Sequence, residues 1–275
     1  MKRSESYYNE FVEFKFTYLS GYNPHPTVEK NLSNMEKELS IIRKKFPQLA
    51  NSNVDKEFLS KIRRGQIILP KERESPPPKG VIGKPNIVKA ERWILVPIHS
   101  GLSFSYNKAF ESVLDLLRKD RKSFLNYRED RISEEYLIQL SKTIEGFKIL
   151  ERMQKNHKGI IIVPVQLGAF RCGQSDRCVY ERMGSGEFGL GSFGNGIILL
   201  TCRGDSSGHG GRLENCDDVW PTCIGDAYAS DNDGNFTNSL YFRLRDDEIG
   251  LNARWNGHAD NGYGPVTAFS NVVVK

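Results

Sequence analysis

Nothing in this chain approaches the roughly 20 consecutive apolar residues that a membrane-spanning helix needs. Its first residues, MKRSESYYNEFVEFKF, also lack the continuous apolar stretch of a secretory signal. Neither a span nor a signal peptide is therefore expected. A cytoplasmic location is the default, with display at a surface by another route left open. Cysteine is scarce, at five residues, an odd number and all after residue 150. Without an export signal, reduced thiols are the default and disulfides the minority reading. Internal repeats are absent too.

What the chain does contain is unevenly divided. Residues 1–150 hold 27 Lys+Arg against 19 Asp+Glu, and residues 151–275 hold 12 against 15. Of 25 glycines, 19 lie after residue 150. A basic, helix-rich front half thus precedes a turn-rich back half. The expected fold class is α+β, with a helical N-terminal region over residues 1–68, a Pro-rich linker over 69–90 and a ligand-binding domain over 91–275.

Local patterns support these divisions. Val28, Leu32, Met35, Leu39, Ile42 and Phe46 alternate spacings of four and three, which lines one face of a helix. Thr27 suits its N-cap and Pro47 its stop. That stripe could pack on its own protein or mediate self-association through the 28–46 helix. Leu49 to Ile68 is a second amphipathic stretch. LPKERESPPPKGVIGKP has little to bury and reads as the linker. Residues 92–105 suggest a buried strand and turn. A helix follows near Asn107–Lys119, and another starts at Ser133 with Leu137, Leu140, Ile144 and Phe147 on one face. GIIIVPVQL reads as a fully buried strand, with several short strands beyond it.

Several motifs invite a chemistry. Gly189-Leu190-Gly191-Ser192-Phe193-Gly194 fits GxGxxG, but a dinucleotide site needs a strand before it, a helix after it and a placed acid. The run Ile197 to Leu200 does not suggest that context. Arg203-Gly204-Asp205 and Gly204-Asp205-Ser206 are three-letter matches, and the fuller protease pattern is broken at Ser207. Cys172/Cys178 and Cys216/Cys223 are spaced too widely for a structural zinc pair, even with His209 between them. Asp231-Asn232-Asp233-Gly234 lacks a calcium loop's partners at Ala229 and Leu240 and fits an Asx turn. No cofactor and no metal are expected. Cys223, His258 and Asp260 could be assembled as nucleophile, base and orienter of a hydrolase. Basic clusters at Arg43-Lys44-Lys45, Lys61 to Arg64 and Arg118 to Lys122 would let the front half act as a nucleic-acid adaptor. Interleaved acids and the lack of a recognition motif favour solvated helical faces.

The C-terminal segment carries the strongest signal. FTNSLYFRLRDDEIGLNARWNGHADNGYGPVTAF, residues 236–269, sets Tyr, Trp, Asn, Asp, His and Gly between short apolar anchors. Rigid aromatic area beside adaptable hydrogen-bonding groups is the composition of a binding surface on a framework.

Four consecutive segments carry a resemblance: GIIIVPVQLGAFRCGQS, GEFGLGSFGNGIILLTCRGD, NCDDVWPTCIGDAYASDNDGNFTNSLYFRL and LNARWNGHADNGYGPVTAFS. Over residues 159–270 the chain resembles the variable proteins of diversity-generating retroelements. The resemblance implies a C-type-lectin-like fold, a mixed α/β core with short antiparallel strands, presenting a diversified surface near the C-terminus. Errors in copying template adenines would turn Asn codons into Asn, Asp, Tyr, His, Ser or Gly. Asn252, Asn256, Gly257, His258, Asp260, Asn261, Gly262, Tyr263 and Gly264 belong to that set, and Ser239, Tyr241 and Arg243 could form a first variable stretch. Pro221 and Thr222 depart from the pattern, and sugar-binding triplets are missing, so a carbohydrate ligand does not follow.

The sequence therefore leads to a non-catalytic binding protein for a protein or other surface macromolecule. The expected framework buries Trp220, Phe188, Phe193 and Leu200. The expected site is a shallow, solvent-facing patch of Ser239, Tyr241, Arg243, Asn252, Arg254, Trp255, Asn256, His258, Asp260, Asn261 and Tyr263. Trp255, Tyr263 and Arg254 are the residue types that dominate hot spots.

Overall fold

Two apolar runs fix the centre of the molecule. The computed structural model describes residues 27–75, 87–120, 123–201, 220–231, 233–245, 248–260 and 262–273. RWILVP forms β3 (Arg92–Pro97) and IIIVPVQ forms β6 (Ile160–Gln166), with every residue of both buried. They pair antiparallel from Arg92↔Val165 to Pro97↔Ile160. Strand β13 (Thr267–Phe269) adds to β6, and β7 (Glu187–Gly189) adds to β13, giving a four-stranded sheet β3-β6-β13-β7. A seven-stranded sheet contains β12 (Tyr263–Pro265), β8 (Trp220–Thr222), β10 (Asn238–Arg245), β11 (Glu248–Trp255) and β4 (Ser123–Asn126), in that order. Strand β9 (Asp226–Tyr228) joins β10 to β5 (Leu137–Gln139). The fold is α+β. The strands are not all antiparallel, because β12 runs parallel to β8 and β4 parallel to β11.

Helices fill the space around these sheets. Helix α6 (Ser192–Thr201) is buried over its whole length and packs on α3 (Tyr106–Asp120). The two approach closely because Gly196 has no side chain; a Cβ there would lie 2.6 Å from Val113 Cγ1. Phe110 of α3 meets Phe242 of β10 edge to face at 6.3 Å. Helix α4 (Ser141–Met153) covers β6 and β7, where Phe147 packs on Phe188 at 5.3 Å. It starts later than Ser133 suggests. Leu137 is taken by β5, paired with Tyr228, so a sheet contact overrides the helical spacing.

Helix α1 (Val28–Lys45) begins as the sequence indicates, with Thr27 Oγ1 accepting from Lys30 N at 3.2 Å. Most of its apolar stripe packs inside the protein. Leu32, Met35, Ile42 and Phe46 join one hydrophobic cluster with β3, β6, α3 and α6, with Leu39 packed against it and Val28 left exposed. The same cluster takes Phe58 and Ile62 of α2 (Lys56–Arg63). Side chains from Leu32 to Ile67 thus contribute to the main hydrophobic cluster. The ends of the expected linker are structured as well: β1 (Lys71–Arg73) pairs with β2 (Ile87–Lys89), and residues 76–86 lie outside the described residues.

Polar side chains do much of the fastening. β3 lies at an edge of its sheet, and edge strands present unpaired backbone groups. Helix α1 meets them from within: Asn31 Oδ1 accepts from Trp93 N at 3.2 Å and Glu38 Oε2 accepts from Leu95 N at 2.8 Å. Glu38 Oε1 also pairs with Arg92 at 2.8 Å. A second cluster holds the segment after β1. Glu74, fully buried, binds Arg171 and, at 2.5 Å, Arg182, while Arg171 also binds Glu187 at 2.7 Å.

Removing one partner of a buried ion pair strands the other, which typically costs about 3–5 kcal/mol. Glu38→Ala should therefore lower stability by about that amount in urea unfolding. A loss below about 1 kcal/mol would show that α1 is not what seals β3.

Candidate functional site

The C-terminal hairpin displays the residues that the sequence marks. β10 and β11 pair residue for residue from Asn238↔Trp255 to Arg245↔Glu248. Strand alternation sends Leu240, Phe242 and Leu251, each fully buried, into the core. The opposite face carries Ser239, Tyr241 and Arg243, with Arg254, Asn252 and Gly250 across from them. Strand β8 lies beside β10 at Tyr241↔Thr222, and β12 beside β8 at Tyr263↔Trp220. Those pairings bring Trp220 and Tyr263 to the same face.

Three rings meet there. Trp220 stacks on Tyr241 with centroids 5.8 Å apart and planes 7° from parallel. Tyr263 stands edge-on to both, at 5.3 Å from Trp220 and 5.0 Å from Tyr241. Two guanidinium groups lie over the rings: Arg243 at 5.6 Å from Trp220 and Arg254 at 4.0 Å from Tyr263. Each is within cation–π range. Burial, followed by the neighbouring Tyr241, holds the Tyr263 hydroxyl well above the usual tyrosine range. It stays a neutral donor and acceptor.

The cluster is less open than a shallow patch. Ser239, Tyr241 and Arg254 are buried, Arg243, Asn252, Asn256, Asp260 and Tyr263 half-buried, and Trp255 and His258 exposed. Asn261 lies outside the described residues. Arg254 is an anchor rather than a free contact. Its Nη2 binds Asp176 Oδ1 at 3.0 Å and its Nη1 donates to the His258 carbonyl at 2.8 Å. Thr222 Oγ1 donates to the same Asp176 oxygen at 2.8 Å. Arg177 N donates to the Asn256 carbonyl at 3.0 Å, so the loop after β11 is sewn to the start of α5 (Asp176–Arg182). Trp255 falls on the other side of the pleat, half exposed at the strand end, with Arg177 5.9 Å from its ring. It does not join the Trp220 cluster.

Trp220 is the reverse case. Expected in the core, it is only half-buried and is the centre of the ring cluster, because β8 places it beside Tyr263 and Tyr241. Phe188, Phe193 and Leu200 are core residues, as expected. Arg128, whose Nη2 donates to Asn252 Oδ1 at 2.7 Å, also reaches this face, and no local pattern announces it.

The other motifs resolve in different ways. GLGSFG does have its strand and helix, β7 before and α6 after, contrary to the reading from Ile197 onward. The place where a phosphate would sit is filled from within the protein. Asp226 Oδ2 accepts from Ser192 N at 2.5 Å at the start of α6, and Tyr106 OH bonds the two Asp226 oxygens at 3.0 and 2.9 Å. Burial raises the Asp226 carboxyl to about 6, offset in part by these hydrogen bonds. Asp231 and Asp233 are exposed in a turn where Asn235 N donates to Asp233 Oδ1 at 2.8 Å. No group of three or more metal-ligating side chains occurs among the described residues. Cys223 is fully enclosed, its thiol pushed well above the usual range first by burial and then by Asp226. His258 and Asp260 sit 3.8 Å apart at the surface, so the Cys223 thiol is enclosed and neutral while the proposed base faces solvent. Cys178 is a free, buried thiol, and Cys172 is buried with its Sγ donating to the Gly168 carbonyl at 3.5 Å; Cys202, His209, Cys216 and the 203–208 motifs lie outside the described residues. In the basic clusters, Lys45 pairs with Asp120 at 2.6 Å, Lys61 with Glu57 at 2.8 Å and Arg118 with Glu129 at 2.9 Å. Arg43 donates to the Ser52 carbonyl. Among the described residues no helix is long and apolar enough to cross a membrane. No protein-family model, curated protein or solved structure matches the chain.

Two measurements follow from this geometry. Arg254→Ala leaves Asp176 buried without its cation and should cost about 3–5 kcal/mol in denaturant unfolding. Trp255→Ala, at the exposed strand end, should change stability by about 0.5 kcal/mol; equal losses would disprove the distinction between anchor and rim. Asp226 gives a pH signature. Its folded value of about 6 exceeds the ordinary 3.8, so the folded state holds the proton more tightly. Its contribution is full below pH 3.8 and is lost as pH rises through about 6, a fall of about 3 kcal/mol. Asp226→Asn should flatten that part of the stability–pH curve, and an unchanged slope would locate its origin elsewhere.

Proposed function

We propose that this protein is a non-catalytic binding protein with a C-type-lectin-like fold, whose hairpin face and following loop are diversified by a retroelement to meet varied macromolecular ligands. One observation carries the reading. Residues of the adenine-derived types, Asn252, Asn256, His258, Asp260 and Tyr263, keep exposed surface around a ring cluster fixed from beneath. A surface that changes its side chains must take its stability elsewhere, and Arg254, Asp176 and the Leu240–Phe242 side of the sheet supply it. The cluster also has hot-spot chemistry, with Trp, Tyr and Arg grouped on one face. The ligand-contacting set is then Trp220, Arg243, Asn252, Asn256, His258, Asp260 and Tyr263, with Ser239, Tyr241 and Arg254 as its base. The neutral Cys223 thiol favours binding over a cysteine-dependent hydrolase.

Sequencing this gene from many cells of one population tests the proposal. Replacements should concentrate at adenines in the codons for the rim residues. A reverse transcriptase gene and an imperfect copy of the 3′ end should lie nearby. Invariant codons across 239–264 with no such neighbour would sink it.

A further inference from the structure

A cavity of about 240 Å³ opens between the end of β3, the turn at His99–Gly101, and the helices α3, α4 and α6. None of the hairpin-face residues lines it. We propose that it binds a small organic ammonium, the cation meeting Glu151 and an aromatic or branched apolar body filling the space beside Tyr106, Phe147 and Phe193.

Size comes first. An apolar cavity of about 150 Å³ is enough to hold benzene, so about 240 Å³ accommodates one ring with a short chain. The walls suit such a body, with Val96, Ile161 and the three aromatic rings among them. The polar groups then select the charge. Tyr106 has its hydroxyl committed to both Asp226 oxygens and to Phe193 N at 3.2 Å, so it offers the ligand its ring rather than its O–H. His99 lies edge-on to Tyr106 at 5.6 Å, and burial lowers its pKa below 6.5 despite the pull of Glu151, which leaves the imidazole neutral near pH 7. Glu151 is half-buried, and its carboxylate makes no hydrogen bond or ion pair with another described residue. Lys148, the remaining charged group on the wall, is exposed and forms no ion pair with another described residue. The Gln139 amide on the same wall makes no side-chain hydrogen bond to another described residue, and its oxygen can accept a second N–H. A half-buried carboxylate with no ion-pair partner among the described residues, set among aromatic faces, favours a cation over a neutral or anionic ligand.

The experiment compares phenethylamine with its neutral isostere 2-phenylethanol and with 3-phenylpropanoate, followed by NMR shifts at Tyr106 and Phe193. Phenethylamine should bind about tenfold tighter than either, the effect of one charge-assisted contact. Glu151→Gln, which removes a carboxylate with no ion-pair partner among the described residues and should leave the melting temperature unchanged, should erase that preference. A preference for the alcohol or the acid, an amine preference that survives in Glu151→Gln, or shifts confined to residues outside the cavity would each overturn the proposal.

Discussion

The buried carboxylate of Asp226 is the contact on which the rest of the architecture depends. It stands at the start of β9, beside the Gln139 end of β5, and receives Ser192 N from α6 and the hydroxyl of Tyr106 from α3. One side chain therefore links two helices to the seven-stranded sheet, while α6 itself follows directly from β7 of the four-stranded sheet. The positive end of a helix attracts anions, and here the anion is supplied by the chain. That choice sets GLGSFG at the junction of β7 and α6, with a carboxylate of the chain itself on the first N–H of the helix. It also explains how a carboxylate whose ionisation is costly can be retained: Ser192 N and Tyr106 OH between them cover both of its oxygens.

The parts of the fold legible in the sequence are those set by local pattern. Helix α1, its Thr27 cap, and strands β3 and β6 follow from spacing and apolar runs. What escapes is set by distant partners. Glu38 and Arg171 carry no local signal and Arg254 reads as a surface contact, because nothing near them in sequence tells that Arg92, Glu74 and Asp176 will enclose them. Leu137 fits a helix until Tyr228 claims it for a sheet. Trp220 looks like core because large aromatics usually are, and its surface position depends on a parallel pairing with Tyr263 far along the chain. The candidate site was legible as a composition but not as a geometry. Alternation along β10 and β11 separates Arg254 from Trp255, which the sequence alone had grouped together.

That separation divides the hairpin into a base and a rim. The base is held by Asp176, Thr222 and the ring contacts among Trp220, Tyr241 and Tyr263. Variation at the rim changes what the face can touch, whereas variation at the base changes whether the loop after β11 is held at all. Under the proposed function, a surface organised in this way would accept changed side chains without reorganising its backbone, which would keep the entropic cost of binding low.

The pairing of β1 with β2 has a different consequence. Lys71↔Lys89 and Arg73↔Ile87 hold the two ends of the 76–86 connection side by side, and the Glu74 ion cluster pins the entry to it. A two-stranded ladder is marginal by itself, so the buried tie from Glu74 through Arg171 to Glu187 of β7 is what lets these three-residue strands persist beside the four-stranded sheet.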